Sequence, residues 1–265
     1  MIFDPFGDFK TRGYLRNCNA EKDLEAVKVL EHFAFRDRLN TALEYLSQKE
    51  PLSYQDVLET HKILFEAVYP WAGQDRAQTA PNIAVSKGRV LFAHPEDARP
   101  AVEHALRIGQ DKGFMATKPG EVMGFLAYGH PFLDGNGRTI MTVHAELAQR
   151  AGIGIDWPAT DKTEYLTALT HELTRPGKGH LDAYLSAFLR GAIGGNRLKN
   201  HLTQTRGLDG SAAASLGANE VLGSVDDPAL KARYKKQEEQ RRKAYAQQPF
   251  ADSGPQRAKE QDLEL

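Results

Sequence analysis

The sequence has one cysteine, almost no net charge and no long apolar run, and each absence removes a class of protein. Cys18 alone excludes a framework of intramolecular disulfides and fits a reducing compartment. The 34 Lys and Arg residues balance 35 Asp and Glu, so no overall field attracts nucleic acid. No stretch approaches the roughly 18 apolar residues that a membrane helix needs. We therefore expect no nucleic-acid partner and no membrane segment.

The first residues, MIFDPFGDFKTRGYLRN, contain no apolar core of a secretory signal peptide. We therefore expect a cytoplasmic protein. Delivery by a specialised secretion machine, including injection into another cell, leaves no such signal and stays open.

Up to about residue 190, apolar residues recur at helical spacing between short breakers, which predicts an all-α domain. Ser53 and Asp56 form a variant of the capping box, and Pro95 suits the first turn of a later helix. The one strand pair predicted is Ile83–Phe92, with Lys87-Gly88 as its turn. The predicted helices cover about 24–46, 53–68, 95–113, 119–128, 138–150, 161–173 and 180–190.

The composition changes beyond Gly194-Gly195. Residues 196–227 are rich in Gly, Ala, Ser and Asn, and residues 228–248 are highly charged without a sustained apolar stripe. This predicts a low-complexity linker and a charged tail over 196–265, flexible or helical and solvated, after a domain over 1–195. A docking or secretion signal, or a linker from a longer chain, is the alternative.

Nine residues, His130-Pro-Phe-Leu-Asp-Gly-Asn-Gly-Arg138, place the groups of nucleotide chemistry between two predicted helices. His130 has an unperturbed pKa of ~6.5, which suits a general base, and Pro131 biases its backbone into a loop. Asp134 offers the oxygen ligands that Mg²⁺ shares with nucleotide phosphates. A core histidine and a turn aspartate are the simpler interpretations of these two residues. The complete string favours the functional one.

The second half of the string predicts an anion site at a helix N-terminus. Gly135 and Gly137 let phosphate oxygens approach the backbone closely. Asn136 adds a side-chain donor, and Arg138 offers a guanidinium fork to phosphate oxygens. Phe132 is expected to anchor the loop in the core.

These residues resemble the Fic (filamentation induced by cAMP) family, whose motif reads His-x-Phe-x-Asp/Glu-Gly-Asn-Gly-Arg-x-x-Arg. Tyr69-Pro-Trp-Ala-Gly73 and the hairpin look like the family's segment leading into its flap. The resemblance covers roughly residues 4–190. It implies a Fic-type helical bundle with a flap at about 75–94 and an active-site loop at 130–138. It also implies a protein adenylyltransferase, of the kind found among bacterial toxins and effectors, which transfers AMP from ATP to a Ser, Thr or Tyr hydroxyl of a target protein.

The resemblance also implies a role for each motif residue. His130 would deprotonate the target hydroxyl, and Asp134 would hold Mg²⁺ against the α- and β-phosphates. Gly135, Asn136 and Gly137 would form the anion-binding loop, and Arg138 would steady the leaving β-phosphate. The flap would dock the target protein by strand addition, which reads the backbone rather than side chains. The flap residues expected to do this are Ile83, Ala84, Val85, Val90 and Leu91.

The chain departs from the family at the last motif position, where Met141 replaces an arginine that generally grips the γ-phosphate. A hydrogen bond to a charged group contributes about 1.5–3 kcal/mol, or one to two factors of ten in affinity. Either Arg76 or Arg150 replaces that arginine, or the site handles its nucleotide differently. The second hypothesis is therefore a Fic-fold transferase that uses UTP or CDP-choline, or that transfers a phosphoryl group. The third is a nucleotide-binding module with little catalysis.

Many Fic proteins carry an inhibitory helix whose glutamate, followed by Gly or Asn, pairs with that last arginine. No glutamate of this chain is followed by Gly or Asn. We therefore expect no glutamate switch of the usual kind, and a separate inhibitory protein stays open as a partner.

Overall fold

The computed structural model describes residues 2–194, 196–205 and 219–246. Over these residues the chain forms twelve α-helices and five short strands. The helices are α1 (Phe9–Arg12), α2 (Leu24–Ser47), α3 (Tyr54–Phe65), α4 (Arg76–Thr79), α5 (Pro95–Gly109), α6 (Lys112–Thr117), α7 (Pro119–Gly129), α8 (Asn136–Arg150), α9 (Lys162–Thr174), α10 (His180–Leu185), α11 (Asn196–Gln204) and α12 (Pro228–Tyr245). The strands are β1 (Ile83–Lys87), β2 (Val90–Leu91), β3 (Ile153–Ile155), β4 (Leu189–Gly191) and β5 (Glu220–Ser224).

Helices α7 and α8 form the centre of the domain. All 11 residues of α7 are buried, and so are 12 of the 15 residues of α8. A helix that is buried all round must be covered on every side, and here α5, α9 and α10 cover α7 while α2 and α3 cover α8. The loop between α7 and α8, which carries the motif, is therefore fixed at both ends by the core.

Helix α2 presents to the core a row of residues at four-residue spacing. Val27, Glu31, Phe35 and Leu39 lie in this row, and all are fully buried. Glu31 is thus a carboxylate in the middle of an apolar face. A buried charge needs partners, and the partners of Glu31 lie in the motif loop and its surroundings.

Strand β1 pairs with β2 in the predicted hairpin, and Lys87 pairs with Val90. The turn is therefore Gly88-Arg89, one residue later than predicted. On its other edge β1 pairs antiparallel with β5, so that the flap is a three-stranded sheet of order β2-β1-β5. The sequence predicts the hairpin alone, because the third strand lies far away in the chain.

The C-terminal helix packs against the flap. Leu230 and Tyr234 of α12 are buried together with Ala84 and Leu91, and Arg241 lies 3.5 Å from the ring of Tyr128. A helical tail was among the predictions, but its packing was not, because two apolar residues among so many charges form too sparse a stripe to be recognised. The domain boundary predicted at residue 195 therefore excludes β5 and α12, which pack against the flap. Of the linker predicted over 196–227, Asn196–Gln204 forms α11 and Glu220–Ser224 forms β5, whereas residues 206–218 lie outside the described residues, as does the tail after 246.

Two helix limits differ from prediction. Helix α5 ends at Gly109, and Asp111 caps a new helix by accepting the Phe114 N–H at 2.8 Å, so that Gly113 lies inside α6. The helix predicted over 180–190 ends at Leu185, and its last residues pair as β4 with β3. None of the helices in the described ranges combines the length and the apolar character needed to cross a membrane.

Candidate active site

Asn136 closes the loop between α7 and α8 upon itself. Its Oδ1 accepts the Phe132 N–H at 2.9 Å, and its Nδ2 donates to the Phe132 carbonyl at 2.7 Å. The ring of Phe132 is fully buried and stacks on His61 at 3.7 Å, as expected of an anchor. Both polar atoms of Asn136 thus hold the loop, but Nδ2 has a second proton, so donation to phosphate stays a prediction.

Arg76 fixes His130 in an unusual backbone conformation. His130 ends α7 with φ 43° and ψ 57°, a left-handed conformation that costs a non-glycine residue about 1–2 kcal/mol. Fully buried Arg76 donates from Nε to the His130 carbonyl at 2.7 Å and from Nη2 to the Ala93 carbonyl at 2.8 Å. Its backbone N–H donates to Pro131 at 2.7 Å. Arg76 thus ties the flap segment to the motif loop.

The His130 ring is buried, and one of its nitrogens makes no hydrogen bond within the described part of the chain. It lies flat on Phe92, with 3.6 Å between ring centroids, and its Nε2 has no hydrogen-bond partner among the described residues. Burial, followed by the charges of Arg76 and Lys87, lowers the pKa of His130 well below its usual value. The ring is therefore neutral at pH 7, which a general base requires.

Asp134 is held as an ionised carboxylate. Its Oδ2 accepts hydrogen bonds from Lys28 Nζ at 2.6 Å and from the Tyr14 hydroxyl at 3.0 Å, and its Oδ1 accepts the Gly135 N–H at 2.8 Å. Burial opposes ionisation, but the charges of Lys28 and Arg138 outweigh it and lower the pKa of Asp134 below its usual range. Lys28 and Tyr14 come from segments that sequence analysis did not connect with the site.

The carboxylate of Glu31 neutralises the positive charge of Arg138, the second cation of the site after Lys28. Its Oε2 accepts from Arg138 Nη2 at 2.7 Å and from Lys28 Nζ at 2.9 Å, while Tyr69 donates to Oε1. The Nη1 of Arg138 is buried without a partner among the described residues. Arg138 therefore has one nitrogen fixed by α2 and one still able to donate.

The start of α8 is open to an anion. Gly135 has φ 76°, and a Cβ there would stand 2.7 Å from the Phe65 ring, so that only glycine fits. Gly137 is exposed, and a Cβ there would meet nothing within 4 Å. The first helical hydrogen bond runs from the Thr139 N–H to the Gly135 carbonyl, so the N–H groups of residues 136–138 precede it and point toward the helix start. Such groups bind phosphate.

The predicted docking residues of the flap do not form an open surface. Ala84, Val85, Val90 and Leu91 are buried and Ile83 is partly buried. The outer edge of β1 is already paired with β5. These side chains therefore form no open docking surface, and docking by strand addition, which reads the backbone, stays a prediction.

A family model described as the Fic/DOC family matches residues 51–148, which include strands β1 and β2 of the flap, α7, the motif loop and most of α8. This part of the chain is similar to a Fic domain. The matched residues begin after α2, so Lys28 and Glu31 lie outside them.

Two curated relatives are similar to this part of the chain and its flanks. Protein adenylyltransferase VbhT of Bartonella schoenbuchensis is 32% identical over 175 residues, which cover 62% of this chain and 35% of VbhT. The chain thus spans about a third of the length of VbhT. Probable protein adenylyltransferase y4lH of Sinorhizobium fredii is 27% identical over 164 residues, which cover 58% of this chain and 81% of the relative.

Solved structures share the fold. BepC of Bartonella tribocorum, a VirB-translocated effector with bound AMPPNP, superposes with a TM-score of 0.56 at 17% identity, covering 72% of this chain and 98% of BepC. An N-terminal Fic domain from Bartonella quintana with bound ADP superposes with a TM-score of 0.55 at 18% identity, covering 72% of this chain and 97% of that domain. At such identities the likeness shows the helical Fic fold with its flap.

The residues of the motif loop fit Mg²⁺ of the kind that nucleotides bring with them. Among the described residues no group of three or more His, Cys, Asp or Glu side chains could hold a metal ion. Asp134 is a single ionised carboxylate in the motif loop, and Mg²⁺ usually binds one or two carboxylates together with phosphates and water. Asp134 would hold the ion, and its Oδ2 would have to release Lys28 and Tyr14.

The two arginines considered as substitutes at the γ-phosphate are bound elsewhere. Arg76 holds the carbonyls at His130, and Arg150 donates to Glu146 and to the carbonyls of Leu46 and Lys49. Met141 itself is buried in the core. The missing arginine has no substitute in either position.

Proposed function

We propose that the chain is a protein adenylyltransferase that transfers AMP from ATP to a Ser, Thr or Tyr hydroxyl of a target protein. The observation that carries the proposal is the buried, unpartnered Nε2 of neutral His130, in the same closed loop as the open N-terminus of α8. A base and a phosphate site in one rigid loop are what nucleotidyl transfer to a hydroxyl requires. The names of VbhT and y4lH support the same activity.

In the proposed reaction His130 takes the proton of the target hydroxyl while the hydroxyl oxygen forms a bond to the α-phosphorus of ATP. The bond from the α-phosphorus to the bridging oxygen breaks, and its electron pair leaves with pyrophosphate. The N–H groups of residues 136–138 and the guanidinium of Arg138 stabilise the negative charge of the phosphates. Bound Mg²⁺ would supply further charge neutralisation beside Asp134.

Labelled ATP tests the proposal. The protein is incubated with candidate target proteins and with ATP carrying the label either in the α- or in the γ-phosphate. Wild type should transfer the α-label only, and His130→Ala should lower transfer by at least about 100-fold. His180→Ala, on α10, is the matched control and should transfer like wild type. Undiminished α-label transfer by His130→Ala would refute the assignment of the base.

We propose that the target docks as a strand on β1. Strand addition reads backbone groups, and β1 lies beside the motif loop, since Phe92 donates its N–H to the Val85 carbonyl at 3.1 Å and stacks on His130. The edge of β1 that a target would use is the one that β5 now occupies. A target strand on β1 would therefore bring its hydroxyl toward His130.

Met141 supports a second candidate, a Fic-fold transferase with another donor or with phosphoryl transfer. No arginine stands at 141, and Arg76 and Arg150 are bound to carbonyls. A panel of ATP, UTP and CDP-choline read by intact mass separates the candidates, because adenylyl, uridylyl, phosphocholine and phosphoryl groups differ in mass. An adduct formed with UTP or CDP-choline but not with ATP, or a phosphoryl adduct formed with ATP, would favour this candidate.

The setting that we propose is that of a bacterial toxin or effector, delivered by a specialised secretion machine. The solved relatives are described as VirB-translocated effectors, which supports this. A separate inhibitory protein remains a prediction, and with Met141 at the last motif position it would need a contact other than a glutamate–arginine pair.

A further inference from the structure

The outer edge of β1 is occupied by the chain itself. Over β5, Ile83 stands opposite Ser224 and Ser86 opposite Glu220, with an irregularity at Ala84/Val85. Next to β5, Asn219 donates from Nδ2 to the Leu133 carbonyl of the motif loop at 3.0 Å. The C-terminal strap, which we define as residues 219–246, therefore reaches from the docking edge into the active-site loop.

β5 and α12 are held in different ways. All side chains of β5 are exposed or partly exposed, with Val221 and Leu222 each 38% exposed, so β5 is held mainly by backbone hydrogen bonds. Helix α12 is held by buried Leu230 and Tyr234 and by Gln237, whose Nε2 donates to the Leu91 carbonyl at 2.7 Å. The residues of β5 itself thus bury little apolar surface, whereas Val225, directly after β5, is buried with Leu230 and Tyr234 and donates its N–H to the Asn82 carbonyl at 2.9 Å. The strap is therefore anchored from Val225 onward, and β5 is its weakly held part.

We propose that β5 is a displaceable placeholder on β1, and that the surface it covers binds an extended segment of the target protein in its place. The exchange replaces one set of strand hydrogen bonds by another, so its net cost in hydrogen bonding is small. At the end of β5 nearest the motif loop stand Asn219 and Glu220, which have no hydroxyl. The placeholder thus fills the edge without offering an acceptor there. This inference rests on the proposed function for the identity of the partner.

Binding of a free peptide tests the placeholder without nucleotide or transfer. The probe is a fluorescently labelled peptide with the sequence of residues 219–226, and its anisotropy is measured with the full chain. The double variant Glu220→Pro/Val221→Pro removes two successive N–H groups, of which one faces β1 because N–H groups alternate along a strand. Glu220→Ala/Val221→Ala is the matched control. We expect the proline variant to bind the peptide at least about tenfold more tightly than wild type and the control.

Equal affinity of wild type and the proline variant, or no binding by either, would overturn the inference. A disulfide variant, compared in its oxidised and reduced forms, controls for misfolding of the proline variant. Ser86→Cys/Glu220→Cys in a Cys18→Ser background joins opposite residues of β1 and β5, and its oxidised form should bind no peptide while its reduced form binds like wild type. Peptide binding by the oxidised form would also refute it. If all forms behave as expected but none transfers AMP, the proposed function fails and the placeholder stands.

Lys28 stands at the mouth of the phosphate site. Its ammonium contacts Asp134 at 2.6 Å, and it shares the Oε2 of Glu31 with Arg138. The Lys28 side chain is 37% exposed, whereas that of Arg138 is 10% exposed and that of Glu31 is fully buried. Lys28 is thus the outermost of these charges, and Glu31 is their buried anchor.

The geometry points to Lys28 as the cation that binds the terminal phosphates in place of the arginine missing at 141. Without nucleotide, Lys28 neutralises Asp134. A divalent cation on Asp134 would repel the ammonium, which can keep its contact with Glu31 and turn to the added phosphates. Arg76 is fully buried and holds the His130 and Ala93 carbonyls, and Arg150 holds the Leu46 and Lys49 carbonyls, whereas Lys28 contacts Asp134 of the motif loop directly. The role presupposes that the site binds a nucleoside triphosphate, as the proposed function requires.

Calorimetry with AMPPNP and with AMP, both in Mg²⁺, tests this role without turnover. Lys28→Met should weaken AMPPNP binding by about 10- to 100-fold and leave AMP within about twofold, because only AMPPNP has the outer phosphates. Lys28→Arg should retain AMPPNP binding, and exposed Lys22→Met is the matched control. Met141→Arg in the Lys28→Met background should restore binding, which a misfolded site could not do.

Three results would overturn it. AMPPNP binding by Lys28→Met as tight as, or tighter than, that of wild type would mean that Lys28 only guards Asp134. An equal loss for AMPPNP and AMP would mean a structural effect. A loss for Lys87→Met alone would move the role to the flap, where the charge of Lys87 also acts on Asp134. Absence of AMPPNP binding in wild type would instead refute the proposed function.

Discussion

Replacing Glu31 by glutamine tests whether the carboxylate of α2 holds the site together. Glutamine keeps the shape and can still accept from Tyr69, but it leaves Arg138 and Lys28 without their shared negative charge. Removing one partner of a buried ion pair costs about 3–5 kcal/mol, because the remaining charge stays buried. Domains have only about 5–15 kcal/mol of stability, so the loss should be large.

The free energy of unfolding is measured in urea at pH 7, with the fluorescence of Trp71 and Trp157, both buried, as the signal. We expect Glu31→Gln to lose about 3–5 kcal/mol, and its midpoint of thermal unfolding to fall by about 6–20 °C. Glu59→Gln is the control: Glu59 pairs with Lys62 at 3.9 Å on the surface, and its loss should be within about 0.5 kcal/mol. A loss below about 1 kcal/mol for Glu31→Gln would refute the reasoning about the buried network.

Three further changes follow from the site and the core. Arg76→Met should lower the free energy of unfolding by at least about 2 kcal/mol and the rate of transfer by about 100-fold, because three carbonyls lose their donor. Arg76→Lys should not restore either quantity. Urea unfolding measures the first and label transfer the second, and normal transfer by Arg76→Met would contradict this prediction. Burial lowers the pKa of His61 to about 3 and that of His144 to about 4. Below pH ~6.5 these two rings therefore take up protons in the unfolded chain but not in the folded one. Each ring thus lowers the free energy of unfolding by up to about 1.4 kcal/mol for each pH unit of acidification. Urea unfolding at pH 7 and 5 checks this, and a His144→Gln variant with an unchanged slope would contradict it. Met141→Arg should raise ATP-dependent labelling less than about tenfold if Lys28 already binds the outer phosphates, and a larger gain would mean that the native site is attenuated for ATP.

The sequence was sufficient to predict the helices and the motif loop, because caps, apolar spacing and the string from His130 to Arg138 are local features. It did not reveal Glu31, although the signal was present: a single acid lies in the row Val27, Glu31, Phe35 at four-residue spacing. Its partner Arg138 lies 107 residues away, and no local pattern links the two.

The pairing of β5 with β1 was beyond local pattern for another reason. β5 has one apolar pair and a glycine among exposed residues, and its partner strand is more than 130 residues earlier. The loop-closing role of Asn136 could not be predicted, because a Gly-Asn-Gly string fits both an anion-binding side chain and one that closes the loop on Phe132. Only the distances distinguish the two.

The most direct measurement of the central claim is a crystal structure with AMPPNP and Mg²⁺. We expect the phosphates on the N–H groups of residues 136–138, the ion on Asp134 and the α-phosphorus facing His130 Nε2. Phosphates bound elsewhere, or a helix start closed by side chains while the nucleotide occupies another cleft, would contradict the account.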